Sequence, residues 1–341
     1  MAELALIERI RAGWAANGRE NGRSIALGIG DDCAILRPPK GHEILVTTDF
    51  TLEGRHFRRD WHPAESVGHR ALARGLSDLA AMGARPLAAF LSLALPAEML
   101  ATRASRLWVE RFFTGLRTLA DQYQVPLAGG DTAQSPSEQI LADIVLVGSA
   151  PVGRAIRRST ARAGDALYVT GQLGGAAAEL AAMELHAAKL NSKPPRVPTS
   201  NQIAAHPQMF PQPRLAVGQI LLRRRLATAA IDLSDGLSTD LAHLCHESHV
   251  GAEVLANALP IHPLAIQSPK NQALNLALHG GEDYELLFTA PQTALLPRSI
   301  AGVRITRIGT LTHGSVISLL DSTGRRTPLA PGGWEHFAGK Q

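Results

Sequence analysis

Residues 43–48, Glu43-Ile44-Leu45-Val46-Thr47-Thr48, read as a β-strand: aliphatic and β-branched residues follow the loop Pro38-Pro39-Lys40-Gly41. Ser66–Met82 then reads as a helix, stopped by Gly83 and followed by Pro86, the order expected of terminators. Ala88–Leu95 is an apolar run closed by Pro96 and suits a buried strand, Arg106–Gln122 is an amphipathic helix, and Ile140–Gly148 is a further strand. Toward the N-terminus, Met1–Ile10 carries acidic residues inside its apolar run and reads as an amphipathic helix, not a secretory leader. Toward the C-terminus the alternation resumes, with strands at Ala166–Thr170, Thr228–Leu233 and Glu285–Thr289 and helices at Gly174–Lys189 and Leu237–Glu247. Pro194–Pro213, rich in Pro, Gln and Asn, reads as a long loop. A chain of 341 residues exceeds the roughly 250–300 at which single cores stop growing. A join near Ser149–Gly153 divides it into 1–149 and 150–341. The expectation is an α/β (α+β) protein of two domains.

Composition removes several function classes. Lys and Arg number 34 against 30 Asp and Glu, a formal charge of only +4, which is no basic stripe for nucleic acid. Aromatic residues are 4%, too few for base-stacking platforms. The longest apolar stretch, Pro86–Leu95, is about half of the ~20 residues that span a bilayer. Cys33 and Cys245 lie far apart and form neither a disulfide framework nor a metal pair, so both read as small core residues in a reducing compartment. A cytoplasmic protein without nucleic-acid or membrane partners is expected.

The chemistry lies in a recurring acidic pattern. Aspartates stand beside Gly, Ser or Thr in Gly30-Asp31-Asp32, Thr47-Thr48-Asp49, Ser77-Asp78, Gly129-Gly130-Asp131, Asp232-Leu233-Ser234-Asp235-Gly236 and Gly280-Gly281-Glu282-Asp283. Any one of them could cap a helix or close a turn, since short oxygen-bearing side chains accept unpaired backbone N–H groups. Six together would repel one another if they converged. Mg²⁺ relieves such repulsion with a few carboxylates, hydroxyls, waters and phosphate oxygens, and small neighbours admit a phosphate. The constellation reads as a Mg²⁺–polyphosphate site. Familiar nucleotide and hydrolase signatures are missing: there is no GxxxxGK[ST], no GxGxxG after a strand, no GxSxG and no HExxH. Gly171-Gln172-Leu173-Gly174-Gly175 suits either a phosphate-facing turn or close packing, and His243, His246 and His249 suit an exposed helix face.

Taken in order, Gly28-Ile29-Gly30-Asp31-Asp32-Cys33-Ala34, Thr48-Asp49 with Gly54-Arg55-His56-Phe57, Leu76–Gly83, Gly129–Thr132, Ile231–Gly236, Gly280–Glu285 and Trp334–Phe337 resemble thiamine-monophosphate kinases. That family is similar to the aminoimidazole ribonucleotide synthetase-like ATP-binding proteins. The resemblance implies two α/β domains without a P-loop and a homodimer formed through the N-terminal domain. ATP as co-substrate, several magnesium ions and a possible monovalent cation are also implied. By the same resemblance, Asp32, Thr47, Thr48, Asp49, Asp78, Asp131, Asp232 and Asp235 would hold magnesium. Gly130, Asp131, Arg158 and Ser234 would contact ATP, and His56, Glu282 and Trp334 would face thiamine monophosphate. Phe112 is a candidate for stacking on adenine. Thr47 and Arg55 depart from the Ser and Asn common at those places. The acceptor is a phosphate already largely ionised at pH 7, so no general base is required. A carboxylate and an aromatic face favour the thiazolium cation. Two alternatives stay open: another ATP-using enzyme of the same superfamily, and a non-catalytic Mg²⁺–nucleotide sensor.

Overall fold

The computed structural model describes residues 2–15, 24–190, 203, 205–269 and 272–335. These fall into two compact units, one drawn from Met1–Leu79, Arg85–Gly153 and Glu184–Ile203, the other from Ala80–Ala84, Arg154–Met183 and Ala204–Gln341.

The first unit opens with helix α1 (Ala2–Ala15) and the short antiparallel pair β1 (Ile25–Leu27) and β2 (Ile35–Leu36). Its main sheet contains β3 (His42–Leu52), β4 (Arg85–Leu95), β5 (Leu127–Gln134) and β6 (Leu141–Pro151), in the order β3-β6-β4-β5. β6 pairs antiparallel with β3 and β4, while β4 and β5 run parallel. A parallel pair needs a crossover, and helix α3 (Arg103–Tyr123) supplies it. Thr102 and Ser105 form a capping box at its start, and Gln124 ends it in the left-handed region, φ 54°. Helix α2 (Ala64–Ala81) lies so close to α3 that a Cβ on Gly68 would strike the Phe112 carbonyl, and one on Gly115 the Glu65 carbonyl. The opposite face of the sheet presents Ile44, Val46 and Phe50, which are 44%, 64% and 60% exposed.

The second unit is built on β7 (Ala166–Thr170), β8 (Ala229–Asp232), β9 (Gly251–Leu255), β10 (Leu286–Ala290), β11 (Ser299–Ile300), β12 (Val303–Thr312), β13 (Ile317–Leu320) and β14 (Arg326–Pro328). The order is β14-β13-β9-β12-β7-β10-β8, with β11 beside β12. Only β13 with β9 is parallel among the described pairs. Helices α4 (Gly175–Leu190), α5 (Leu215–Arg224), α6 (Leu237–Ser248), α7 (Pro263–Ile266) and α8 (Ala273–His279) complete it. Leu167, Val169, Ile231, Leu241, Leu287 and Ile308 are sealed in its core.

Two expectations change here. Gly129-Gly130 is not a turn: β5 runs straight through it, paired with Phe90 and Leu91. The second half is also richer in strands than its alternation suggested, because β9 and β11–β14 are short or carry polar residues on a wet face. Residues 194–202 and 204 of the expected long loop lie outside the described residues, as do His336 and Phe337.

Candidate functional site

A pocket of about 730 Å³ opens in the first unit between Gly28–Ala34, Phe90–Leu93 and Leu127–Thr132. Asp32, Gly130 and Asp131 line it. Gly130 is there for a steric reason: its φ is 150°, and a Cβ would strike the Leu91 carbonyl oxygen. A side chain at this point would force β5 away from β4. Asp131 pairs across with Ser92, and its Oδ1 accepts the Thr132 N–H at 2.9 Å. In the segment Gly28–Ala34, which lines the same pocket, Asp31 Oδ1 accepts the Asp32 N–H at 2.8 Å, and Asp31 and Asp32 are both exposed. Carboxylates from two segments thus line, beside small residues, a space large enough for a nucleotide.

β3 divides the neighbouring candidates, because alternate residues of a strand point to opposite faces. Thr47 turns toward α2, where its hydroxyl donates to Asp78 Oδ2. Asp49, on the same face, lies 3.7 Å from Arg74 Nε. Thr48 points the other way and donates to Asp143 Oδ1 at 2.7 Å. One strand therefore serves two surroundings. Among the described residues no three His, Cys, Asp or Glu side chains gather as a ready-made metal cage. His56 folds back on the end of β3, its Nδ1 accepting the Leu52 N–H at 2.9 Å, and Arg70 donates to its carbonyl at 3.0 Å.

In the second unit, two acidic motifs lie side by side. The Glu282 N–H donates to the Ser234 carbonyl at 2.8 Å, and the Tyr284 N–H to the Leu233 carbonyl at 2.9 Å. The Trp334 N–H donates to the Asp235 carbonyl at 3.0 Å, and the Trp334 side chain is 44% exposed. Ser234, Asp235, Glu282 and Trp334 are thus joined through backbone bonds. Asp232 ends β8 and is buried. Arg158 lies in the turn Arg158–Thr160, and its carbonyl accepts from Ser248 Oγ at 2.5 Å.

The sequence did not single out Asp240. Its Oδ2 accepts the N–H groups of Asp235 and Gly236, each at 3.1 Å, holding the turn before α6. Burial first, then the Asp235 charge, pushes its pKa up to about 7. Asp283, named in a motif without a role, accepts from the Gly174 and Ala176 N–H groups at 2.6 and 3.1 Å and so caps α4. Burial raises its pKa to about 7 as well. Glu285 takes a forked pair from Arg214 (2.7 and 2.5 Å) and a bond from the Thr170 hydroxyl at 2.6 Å. Such partners are far apart in sequence and leave no local signal.

Three further expectations are settled by burial. Phe112 is fully buried, stacked on Trp108 and edge-on to Phe113, so it cannot stack on adenine. Phe90 and Phe113 are the aromatics that line the pocket. Cys33 is exposed and lines that pocket, against the expectation of a core residue, whereas Cys245 is buried and its thiol is pushed up to about 12. His243, His246 and His249 are exposed, as expected.

Comparison with known proteins agrees with this layout. AIR synthase related protein, N-terminal domain, matches residues 30–150, and the corresponding C-terminal domain matches 162–320. Thiamine-monophosphate kinase of Escherichia coli (strain K12) is 38% identical over 325 residues, covering 94% of each chain. The crystal structure of thiamine-monophosphate kinase from Stenotrophomonas maltophilia K279a superposes with a TM-score of 0.77 at 36% identity, covering 96% of this chain and 98% of that one. AaThiL complexed with AMPPCP and TMP gives 0.73 at 30% identity, covering 88% and 89%. The chain belongs to the thiamine-monophosphate kinase family of AIR synthase-related proteins.

Proposed function

We infer that this chain transfers the γ-phosphoryl group of ATP to the phosphate of thiamine monophosphate, giving ADP and thiamine diphosphate. The observation that carries the reading is the likeness to thiamine-monophosphate kinases along 94% of the chain. A related structure holding AMPPCP and TMP supports the choice of both substrates.

The reaction joins two anions, and the acceptor oxygen is already largely ionised near pH 7, because a phosphate monoester's second pKa is about 6. No side chain is then needed to remove a proton. The work left to the chain is alignment and charge compensation. The donor set fits magnesium: Asp32, Thr47, Thr48, Asp49, Asp78, Asp131, Asp232 and Asp235 offer hard oxygen ligands only. When bound, Mg²⁺ would supply Lewis-acid charge neutralisation to the phosphate groups. Thr47 and Asp49 face away from Thr48, so no single ion takes all three. Gly130 and Asp131 fit the nucleotide side, with Arg158 and Ser234 assigned to the phosphates; Arg158 offers a forked donor. His56, Glu282 and Trp334 are assigned to thiamine monophosphate. In this reading the two domains are 1–149 and 150–341, and the first forms a homodimer. The exposed Ile44–Phe50 stripe of β3 supports the dimer. The free cysteines support a reducing, cytoplasmic setting.

The test is an assay of the purified protein with ATP, Mg²⁺ and thiamine monophosphate. Thiamine diphosphate and ADP should form in equal amounts, and free thiamine should not be phosphorylated. ATP binding without turnover would favour a nucleotide sensor, and rapid phosphorylation of thiamine would mean a different acceptor chemistry.

A further inference from the structure

Glu282 is held more firmly than a surface carboxylate needs to be. Its φ is 67° and that of Tyr284 is 49°, both in the left-handed region that L-residues avoid. Such a conformation persists only where the surroundings over-determine it. Here they do: the Glu282 and Tyr284 N–H groups are tied to Ser234 and Leu233, and the intervening Asp283 side chain is pinned to the start of α4. The backbone therefore fixes where the Glu282 side chain leaves the chain.

A second set of contacts fixes where that side chain points. Gln208 Nε2 donates to Glu282 Oε2 at 2.8 Å. Gln208 is 1% exposed, and its own N–H donates to Glu179 Oε2 at 2.8 Å. Glu179, on α4 and 7% exposed, has His206 Nδ1 at 2.7 Å from its other oxygen. Residues 206–210 come from the stretch that reads in sequence as a loop, yet Gln208, Met209 and Phe210 are buried. The chemistry of the donor matters as much as its place. Glu285, three residues further along the chain, is bound by the Arg214 guanidinium, which offsets its charge. Gln208 is a neutral amide, so its bond orients the Glu282 carboxylate and brings no cationic charge of its own. An oriented carboxylate is what attraction to a fixed organic cation requires.

We propose that Gln208, anchored by Glu179, is a positioning residue that sets substrate affinity by aiming the Glu282 carboxylate at the cationic ring of the acceptor. This rests on the assignment of Glu282 to thiamine monophosphate. The experiment is steady-state kinetics on the full-length protein, varying thiamine monophosphate and ATP separately, for Gln208→Met, Glu282→Ala, Glu179→Gln and the Gln208→Met/Glu282→Ala double variant. Methionine keeps the buried volume and removes the donor. Gln208→Met should raise the KM for thiamine monophosphate about five- to tenfold, within the range of one ordinary lost hydrogen bond, with kcat and the KM for ATP changed less than about twofold. Glu179→Gln, one bond further out, should act in the same direction by about two- to threefold. In the Glu282→Ala background the Gln208 change should add less than about twofold, because the group it aims is gone. If Glu282→Ala itself leaves that KM unchanged, the assignment of Glu282 fails, and the proposal with it. If Glu282→Ala raises it while Gln208→Met and Glu179→Gln do not, the assignment stands and the positioning role is overturned. Equal losses in kcat and both KM values, with a lowered unfolding midpoint, would mark Gln208 as merely structural and also overturn it.

Discussion

The pocket of the first unit and the paired motifs of the second use the same local vocabulary, an acidic residue beside Gly or Ser, in opposite surroundings. Asp31 and Asp32 are exposed, and the Asp31 carboxylate accepts the Asp32 N–H in a short-range turn bond. Asp131 makes the same kind of bond with the Thr132 N–H in the same pocket. In the second unit, Asp240, Asp283 and Glu285 are desolvated and matched to backbone N–H groups or to Arg214. An exposed carboxylate keeps its charge for a ligand, whereas a desolvated one is costly unless the fold itself completes it. The residue type therefore does not distinguish a binding group from a structural one. Its solvation and its partners do.

The largest effect expected from this contrast is at the buried pair. Arg214→Met would leave Glu285 without its forked partner, and chemical unfolding should show a loss of roughly 3–5 kcal/mol, typical of an uncompensated buried charge. A loss below about 1 kcal/mol would remove the distinction drawn between the two regions. Next, Asp131→Asn should depress kcat at saturating substrates by about a hundredfold, the scale of a lost electrostatic contribution to a transition state. Its unfolding midpoint should stay level or rise, since a solvent-facing charge is being removed. A matching loss of stability would place Asp131 with the structural set.

Gly130→Ala sharpens the comparison from the backbone side. The added Cβ meets the Leu91 carbonyl oxygen at φ 150°, so β5 must shift, at a cost of about 2 kcal/mol. Thermal unfolding and ATP affinity should both fall. An unaffected ATP affinity would detach this crossing from the nucleotide pocket.

A further effect concerns pH. Burial raises the Asp283 pKa from its ordinary value of 3.8 to about 7. A group whose pKa is raised on folding contributes stability that is full below the unfolded value and is lost as pH climbs through the folded one. The ligand-free protein should therefore lose stability between about pH 4 and pH 7 on this account, and Asp283→Asn should flatten that slope. Unfolding midpoints of the two proteins measured across the range check it. An unchanged slope would mean that the Gly174 and Ala176 N–H bonds compensate the desolvated charge.

Most of the first unit was legible because its elements announce themselves. Ala88–Leu95 is an apolar run broken only by Ser92, and Arg106–Gln122 repeats its apolar residues at helical spacing; both elements form where expected, with slightly longer ends. β5 was missed because Leu127-Ala-Gly-Gly-Asp-Thr-Ala-Gln134 has weak strand propensity. It becomes a strand because Gly129 and Gly130 let it lie against Phe90 and Leu91. In the second unit, β12 and β13 are amphipathic or short and gain their stability from cross-strand pairing, which no local window contains.

The sequence by itself determined the family and a two-part organisation and offered a set of candidate residues, because motif order and residue type are one-dimensional facts. It could not sort that set. Thr47 and Thr48 are neighbours in the chain yet face opposite sides of a sheet, and Phe112 and Phe113 are neighbours of which only the second reaches the pocket. Which of each pair meets a ligand depends on strand alternation, helix phase and the elements packed on either side. Gln208 and Glu282, 74 residues apart, share a hydrogen bond that only the folded chain creates. Solvation and orientation are properties of that packing, and they turn a list of carboxylates into binding groups and structural ones.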